Sequence, residues 1–321
     1  MKVHRVSGLI LACACFGWAA DALSAPADDE LLVLGLRLSD GSLCTVLADK
    51  DGVRRAGDGL AIPRADGFWK GVMLDRKEKA TRERVFFAAP AGSAASPPPL
   101  EAEENCESET AQTVLFVGPD FVAVEESAGG YCEGAAHPYA SVGLKTFAIG
   151  TEIRPKALSV EAVFGKAALD VFEKTAEKAH GGEAKREEDC LRGAGPEDFG
   201  LVRIQGRWAL RGALGYAAEV CRGNHEYFTV PFEPPAKVTG QTRLRKPFAA
   251  LAKEHPGLLD AVVSPSGDIL VLLKKTGVEV IAGGKSAGSM EIEGPSAVMT
   301  QWALGKSAAR WRQEVPQVLV K

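Results

Sequence analysis

The sequence predicts an α+β fold in which antiparallel sheets pack against one principal helix, with β-rich segments added at the N- and C-terminal ends. Leucines alternate through residues 31–38, which is the period of a strand with one buried face. Short apolar runs separated by glycine-containing turns recur along the chain. The clearest helical spacing is that of Leu169, Phe172, Ala176 and Ala179.

The first 27 residues are predicted to form a secretory signal peptide. Lys2 and Arg5 precede an apolar run of about fifteen residues, shorter than the roughly 20 that cross a bilayer as a helix. Small residues permit cleavage after Ala22 or after Ala27, and we favour the second. The residues before Cys13 match a lipidation signal poorly. We therefore expect a periplasmic or secreted protein with no transmembrane segment after cleavage.

The composition is typical of a globular chain, with 46% hydrophobic and 25% charged residues. The net charge is −4, and the signal peptide contains two of the basic residues and only one acidic residue. Binding to phosphate groups requires a basic surface. The charge therefore argues against nucleic acid as a partner, and no motif predicts a cofactor.

The N-terminal β-rich segment is predicted to cover residues 28–88. Asp40 and Gly41 form the turn of a hairpin between residues 31–38 and 42–48, and further strands are expected at 68–75 and 83–88. Residues 89–105 are rich in Pro, Ala, Ser and Glu, which favours an exposed linker or long loop.

The α+β core domain is predicted to cover residues 106–235, and a C-terminal β-rich module residues 236–321. The core contains hairpins around Pro119 and around Gln205-Gly206, a strand at 141–150, the principal helix and a strand at 226–232. The C-terminal module contains a helix near 245–254 and strands at 258–264, 268–273 and 277–282.

Four cysteines are predicted to form two disulfides, because export permits oxidation. Cys106 and Cys132 are equally distant from Pro119 at the centre of one hairpin. Cys190 and Cys221 are equally distant from the Gln205-Gly206 turn of another. The remaining cysteine of the mature chain, Cys44, is expected to be a buried thiol.

The densest group of reactive side chains is the sequence GGYCEGAAHPYAS at residues 129–141. Its small residues permit a close backbone approach, and Pro138 keeps His137 out of the helical conformation. The candidate ligand-binding residues are Tyr131, Glu133, Gly134, His137 and Tyr139. Alternatively, His137 fixes the loop through a hydrogen bond to a backbone carbonyl. No catalytic residue is assigned, because no nucleophile with a partner base is recognisable.

This motif, the strand after it, the IGTEIRPKAL turn and the amphipathic helix resemble a small exported domain of unknown function. The domain is found in lysozyme-sensing anti-sigma factors and beside peptidoglycan deacetylase domains, and its pattern is Y-x-G-G-A-H. Here Ala135 replaces the second glycine, and FTVPF at residues 228–232 corresponds to a later IPY strand. The resemblance covers about residues 110–235 and implies ligand sensing by protein contact. We do not expect the transmembrane helix and cytoplasmic portion of the anti-sigma factors.

Other motifs favour structural interpretations. Gly284-Lys285-Ser286-Ala287-Gly288 matches G-x-S-x-G, but no histidine follows it at a suitable distance, so a turn is expected. Asp49-Lys50-Asp51-Gly52 lacks the glutamate that would complete a calcium loop, and is also expected to be a turn. The histidine and cysteine spacings do not predict a metal site. His180 and His255 are expected at the C-terminal ends of helices.

The leading functional hypothesis is an exported, non-catalytic binding or envelope-associated protein. Its partner is expected to be an envelope or extracellular protein or a cell-wall ligand. The alternative is an envelope hydrolase in which His137 acts with Glu133 or Glu226. Only the hydrolase hypothesis requires one of these carboxylates to lie within hydrogen-bonding reach of His137 in a concave pocket. A third interpretation buries the loop without a function.

Overall fold

The computed structural model describes residues 29–100, 105–133, 139–153, 155–183, 191–216, 226–240 and 243–320. Antiparallel and mixed β-sheets dominate the fold, with 53% strand and 18% helix. The predicted antiparallel sheets are present, and their packing against one principal helix in an α+β fold stays a prediction. The signal peptide prediction lies outside the described residues.

The strands of the first half are β1 (Glu30–Arg37), β2 (Leu43–Asp49), β3 (Gly52–Asp58), β4 (Leu60–Arg64), β5 (Gly67–Glu78), β6 (Thr81–Pro90), β7 (Cys106–Val117), β8 (Phe121–Cys132) and β9 (Tyr139–Ala148). The strands of the second half are β10 (Leu191–Arg192), β11 (Phe199–Ile204), β12 (Arg207–Tyr216), β13 (Glu226–Thr229), β14 (Leu258–Val263), β15 (Ile269–Lys274), β16 (Gly277–Ala282), β17 (Lys285–Glu291) and β18 (Ser296–Leu304). The helices are α1 (Val160–Phe164), α2 (Lys166–Glu183), α3 (Ala236–Thr239), α4 (Phe248–Glu254) and α5 (Lys306–Val320).

The first sheet has the order β18-β1-β2-β3 and is covered on both faces. Leu32, Leu34 and Leu36 pack into a core shared with the β14–β17 sheet. Leu31 and Val33 point the other way, into a core shared with β4 and α5. The alternating leucines correctly predicted β1. The residues between them are also apolar, because the second face of this strand is buried as well.

The largest sheet has the order β4-β5-β6-β7-β8-β9 and positions the motif at residues 129–141. All its pairings are antiparallel except that of β6 with β7, which runs through Thr81–Arg84. Parallel neighbours cannot be joined by a tight turn. Strand β6 includes Ala89 and Pro90, which the sequence placed in the linker or loop at residues 89–105, and β7 begins after that segment at Cys106.

The middle of the chain packs on one face of this large sheet. Phe172 and Ala176 of α2 lie in one core with Phe199, Trp208 and Phe228 of the β10–β13 sheet. The face of β7–β9 near Phe116 and Ala123 belongs to the same core. The helical spacing from residue 165 thus correctly predicted both α2 and its buried side.

The sequence patterns did not indicate four elements of the C-terminal segment, which are α3, β17, β18 and α5. Two of them, β18 and α5, pack against the first part of the chain. Strand β18 pairs with β1, from Glu30 opposite Leu304 to Arg37 opposite Ser296. Helix α5 then packs its buried residues Ala308 and Val315 into the core beside β1 and β4. Strand pairing therefore crosses two of the predicted segment boundaries, and the division into separate domains stays a prediction. Among the described residues, none of the helices has the length and apolar character needed to cross a bilayer.

The start of the described chain is fixed to α5 by a charge cluster. Nη2 of Arg312 lies 2.7 Å from Oδ1 of Asp29, and Nε of Arg312 lies 3.1 Å from Oδ2 of Asp49. The hydrogen bond from Arg312 lowers the pKa of Asp29. The same contact raises the pKa of Arg312, which stays charged at all physiological pH values.

We expect Asp29→Asn to weaken the acid dependence of stability. The pKa of Asp29 is lower in the folded protein than in the unfolded chain, so its contribution is complete above about pH 4 and is lost as the pH falls through the folded value. Urea unfolding at about pH 7 and about pH 2.5 should show a difference between wild type and variant that shrinks in acid. A difference of the same size at both pH values would contradict this assignment.

Candidate binding site at the end of the large sheet

The motif at residues 129–141 forms the outer end of the β8–β9 hairpin. Gly129 pairs with Ala140, and Gly130 pairs with Tyr139, the first residue of β9. Glu133 follows β8 and donates its backbone N–H to the carbonyl oxygen of Asn105, over 2.8 Å. Gly134 and His137 lie outside the described residues, so the predicted approach of His137 to Glu133 or Glu226 stays a prediction.

A disulfide joins Cys106 at the start of β7 to Cys132 at the end of β8, as the sequence predicted. The register that produces it is less direct than the prediction assumed. Next to the turn, Val117 pairs with Val122, which centres the hairpin between Pro119 and Asp120. A bulge at Leu115 shifts this centre to Pro119, and the shift brings the two cysteines opposite each other.

The second predicted disulfide, Cys190 to Cys221, lies outside the described residues. The hairpin of β11 and β12 does turn at Gln205-Gly206, since Ile204 pairs with Arg207. Strand β10 pairs Leu191 with Tyr216, which departs from that register. This second disulfide stays a prediction. Cys44, in contrast, is a free and fully buried cysteine as predicted, and burial raises the pKa of its thiol to about 11.

Tyr131 is an exposed aromatic residue of this surface, with 47% of its area accessible. It lies in β8 opposite Glu107 of β7, two residues beyond Gly129 on the same face. A cavity of about 740 Å³ extends along this face, and its floor consists of small residues. These small residues are Ser127, Ala128, Gly129, Gly130, Ala140 and Ser141. We call this cavity the Tyr131 groove.

Charged side chains of both signs border the Tyr131 groove. Lys77, Lys79 and Arg82 come from the β5–β6 hairpin, and Glu107 and Glu109 come from β7. All five are exposed. Arg82 of β6 pairs with Glu109 of β7, and Glu109 pairs with Gly129 of β8. Across these three strands, a basic residue, an acidic residue and a glycine of the floor are therefore neighbours. Such a surface can contact a partner that carries both charges.

A second cavity of about 720 Å³ adjoins the first one at Tyr131. Tyr131, Lys79 and Glu107 line both cavities, and the second one adds Asn105 and Glu133. Tyr131 therefore borders both depressions. A rigid aromatic ring in this position offers a large contact area and a phenol that can form hydrogen bonds.

The inner end of the same face is closed by a polar contact. Oη of Tyr227 donates to Oε2 of Glu125 over 2.7 Å, and the guanidinium of Arg211 lies 5.2 Å from the centre of the Tyr227 ring. Burial and the neighbouring Glu125 carboxylate raise the pKa of Tyr227, so the phenol remains a donor. Glu125 precedes Gly129 by four residues on one face of β8, so the covered part of the face ends at Glu125 and the groove begins beyond it.

The other motifs have structural positions. The sequence predicted a turn at Ser286, and this prediction is wrong. Ser286 lies in strand β17, where it pairs with Ile281. The turn is formed by Gly283 and Gly284. Most of this glycine-containing motif therefore forms a strand of small residues. Residues 50–51 form the expected turn, and the N–H of His255 caps α4 by donating to the carbonyl oxygen of Leu251. Within the described ranges, His, Cys, Asp and Glu side chains form no group that could hold a metal ion.

The sequence motif at residues 129–141 does not include the basic residues of the groove. Their signal is the sequence DRKEKATRER at residues 75–84, in which charges occupy both faces of two strands joined by a tight turn. Strand ends of this composition extend beyond a core, because charged residues are almost never fully buried without partners. Their place beside β7 depends on the parallel β6–β7 pairing, which has no local sequence signal.

No protein-family model matches this chain, and no curated protein is significantly similar to it in sequence. The assignment of a function therefore depends on the geometry of the Tyr131 groove.

Proposed function

We propose that this chain is an exported binding protein without catalytic activity, and that the Tyr131 groove is its contact surface. The observation that carries the proposal is an exposed tyrosine that lines two adjoining cavities at the end of a hairpin that a disulfide closes. Exposed aromatic residues on rigid strands are typical of residues that dominate binding energy. The partner is an envelope or extracellular protein or a cell-wall ligand.

Export is a part of the proposal that several observations support. The N-terminal sequence has the composition of a signal peptide. The Cys106–Cys132 disulfide is stable in an oxidising compartment. Residues 110–235 also resemble an exported domain that senses ligands by protein contact. This resemblance supports the proposal of an exported binding protein. Mass spectrometry of the protein from its native host should find an N-terminus after Ala22 or after Ala27.

Replacing Tyr131 with serine should reduce capture of a partner from a cell-envelope extract by roughly tenfold or more. The matched control is Leu259→Ser, which removes another exposed apolar side chain, in β14 and outside the groove. Tagged mature protein is incubated with the extract, and the captured material is quantified for wild type and both variants. Wild type and Leu259→Ser should capture the same species, and Tyr131→Ser should lose it.

Two outcomes would overturn the proposal. Equal capture by Tyr131→Ser and wild type would exclude the groove as the contact surface. Hydrolysis of a wall-derived or ester substrate by wild type, abolished in His137→Ala, would replace the binding function with a hydrolase.

A further inference from the structure

We propose a second binding site, for a neutral oligosaccharide, in the cleft between the β4–β5 turn and helix α5. The cleft has a volume of about 520 Å³. Pro63, Arg64, Asp66, Phe68 and Trp69 line one side. The residues of α5 that line the other side are Arg310, Trp311, Glu314, Gln317 and Val318. This inference does not depend on the proposed function of the Tyr131 groove.

Three partly exposed aromatic rings line this cleft. The rings of Phe68 and Trp311 meet edge to face, with centres 5.3 Å apart. Trp69 donates its indole N–H to Oδ2 of Asp66 over 3.3 Å, and Arg64 lies 4.6 Å from the centre of its ring. The C–H faces of sugar rings are apolar and carry partial positive charge, so they pack favourably on the electron-rich faces of such rings.

The polar groups of the cleft fit an uncharged ligand with many hydroxyl groups. Two positive residues, Arg64 and Arg310, are matched by two negative ones, Asp66 and Glu314. Nε of Arg310 lies 3.6 Å from Oε2 of Glu314, and Nε of Arg64 lies 3.8 Å from Oδ1 of Asp66. A charged ligand would meet an equal number of like charges, whereas a sugar hydroxyl can donate to the carboxylates and accept from the guanidinium groups.

The aromatic cleft and the Tyr131 groove lie at opposite ends of β5. Gly67 begins this strand at the cleft, and Lys77, near its other end, lines the groove. Ten residues of extended strand separate them by roughly 33 Å. The two sites are therefore far enough apart to bind separate ligands at the same time.

Titration calorimetry with cellotriose, chitotriose and maltotriose tests this site. At least one trisaccharide should bind wild type with a Kd of about 1 mM or tighter. Trp311→Ala should weaken that binding about tenfold, and Gln317→Ala about threefold, through loss of a ring contact and a hydrogen bond. Gln313→Ala, also exposed on α5 but not in the cleft, is the matched control and should bind as wild type does.

Thermal unfolding of each variant separates loss of binding from loss of folding. Trp311 also packs against the core, whereas Gln317 is exposed. If Trp311→Ala does not fold, the affinity of Gln317→Ala for the trisaccharide tests the site. Failure of all three sugars to bind would overturn the proposal, and so would wild-type affinity in both variants. Neither result would alter partner capture through Tyr131, which is measured separately.

Discussion

Replacing Asp260 with alanine should lower the free energy of unfolding by about 3–5 kcal/mol. Asp260 forms a buried ion pair with Arg203, and the two side chains are only 11% and 6% exposed. Its other oxygen accepts the backbone N–H of Gly206 over 2.6 Å. Alanine would leave the guanidinium charge and this N–H without their partner in a buried position, which is the costly form of ion-pair loss.

The contact joins β11 to β14, so its loss should also loosen the C-terminal segment from the middle of the chain. Arg203 reaches further, since its Nη2 donates to the carbonyl oxygen of Ala261 over 2.7 Å. Urea unfolding measures the effect. The matched control is Glu233→Ala, which breaks the exposed pair with Arg243 and should cost less than about 1 kcal/mol. Equal effects in the two variants would show that the buried pair does not stabilise the fold.

Replacing both Cys106 and Cys132 with serine should destabilise the protein by about 3–4 kcal/mol in the chain-entropy estimate. The disulfide closes a loop with a sequence separation of 26 residues, and without it the unfolded chain gains conformational freedom. The end of the hairpin should open first, because the bond joins its last strand pair. Partner capture through the neighbouring Tyr131 should fall as well.

Guanidinium unfolding of the double variant and of Cys44→Ala separates loss of the disulfide from loss of a cysteine side chain. Cys44 is buried and free, so its replacement removes one sulfur atom from the core and leaves the hairpin intact. Adding a reductant should destabilise wild type and Cys44→Ala by more than the double variant, in which only the predicted Cys190–Cys221 disulfide could be reduced. Unchanged stability of wild type under reducing conditions would contradict a structural role for the disulfide.

Several strands and hairpins could be predicted because their signals are local. The leucines of β1, the turn at Gly41 and the turn at Gln205-Gly206 each set a strand or a hairpin from neighbouring residues. Cys106 and Cys132 were paired correctly because both follow from one hairpin, although the bulge at Leu115 was not visible in the sequence.

Three of the missed elements depend on distant partners or on exceptions to local rules. Strand β18 pairs with β1 across most of the chain, and nothing within residues 296–304 indicates this partner. Helix α5 contains Pro316, a residue that usually interrupts a helix, so this helix is an exception to a local rule. In β17 the small residues of Lys285–Glu291 resemble a turn, and only pairing with β16 makes them a strand.

The candidate site was predicted in part for the same reason. Tyr131 and Glu133 belong to the motif that the sequence singled out, and the structure places both on an exposed surface. Lys77 and Arg82 reach that surface through the parallel pairing of β6 with β7. A long connection separates these two strands, so no local pattern indicates that they are neighbours.

The contact assigned to the Tyr131 groove is tested most directly by photo-crosslinking from position 131 in the native host. A photoreactive phenylalanine derivative replaces Tyr131 in one strain and Leu304, an exposed residue of β18, in another. If the Tyr131 groove is the contact surface, a discrete crosslinked species should form from position 131 and none from position 304. No crosslinked species from position 131, or the same species from both positions, would contradict it.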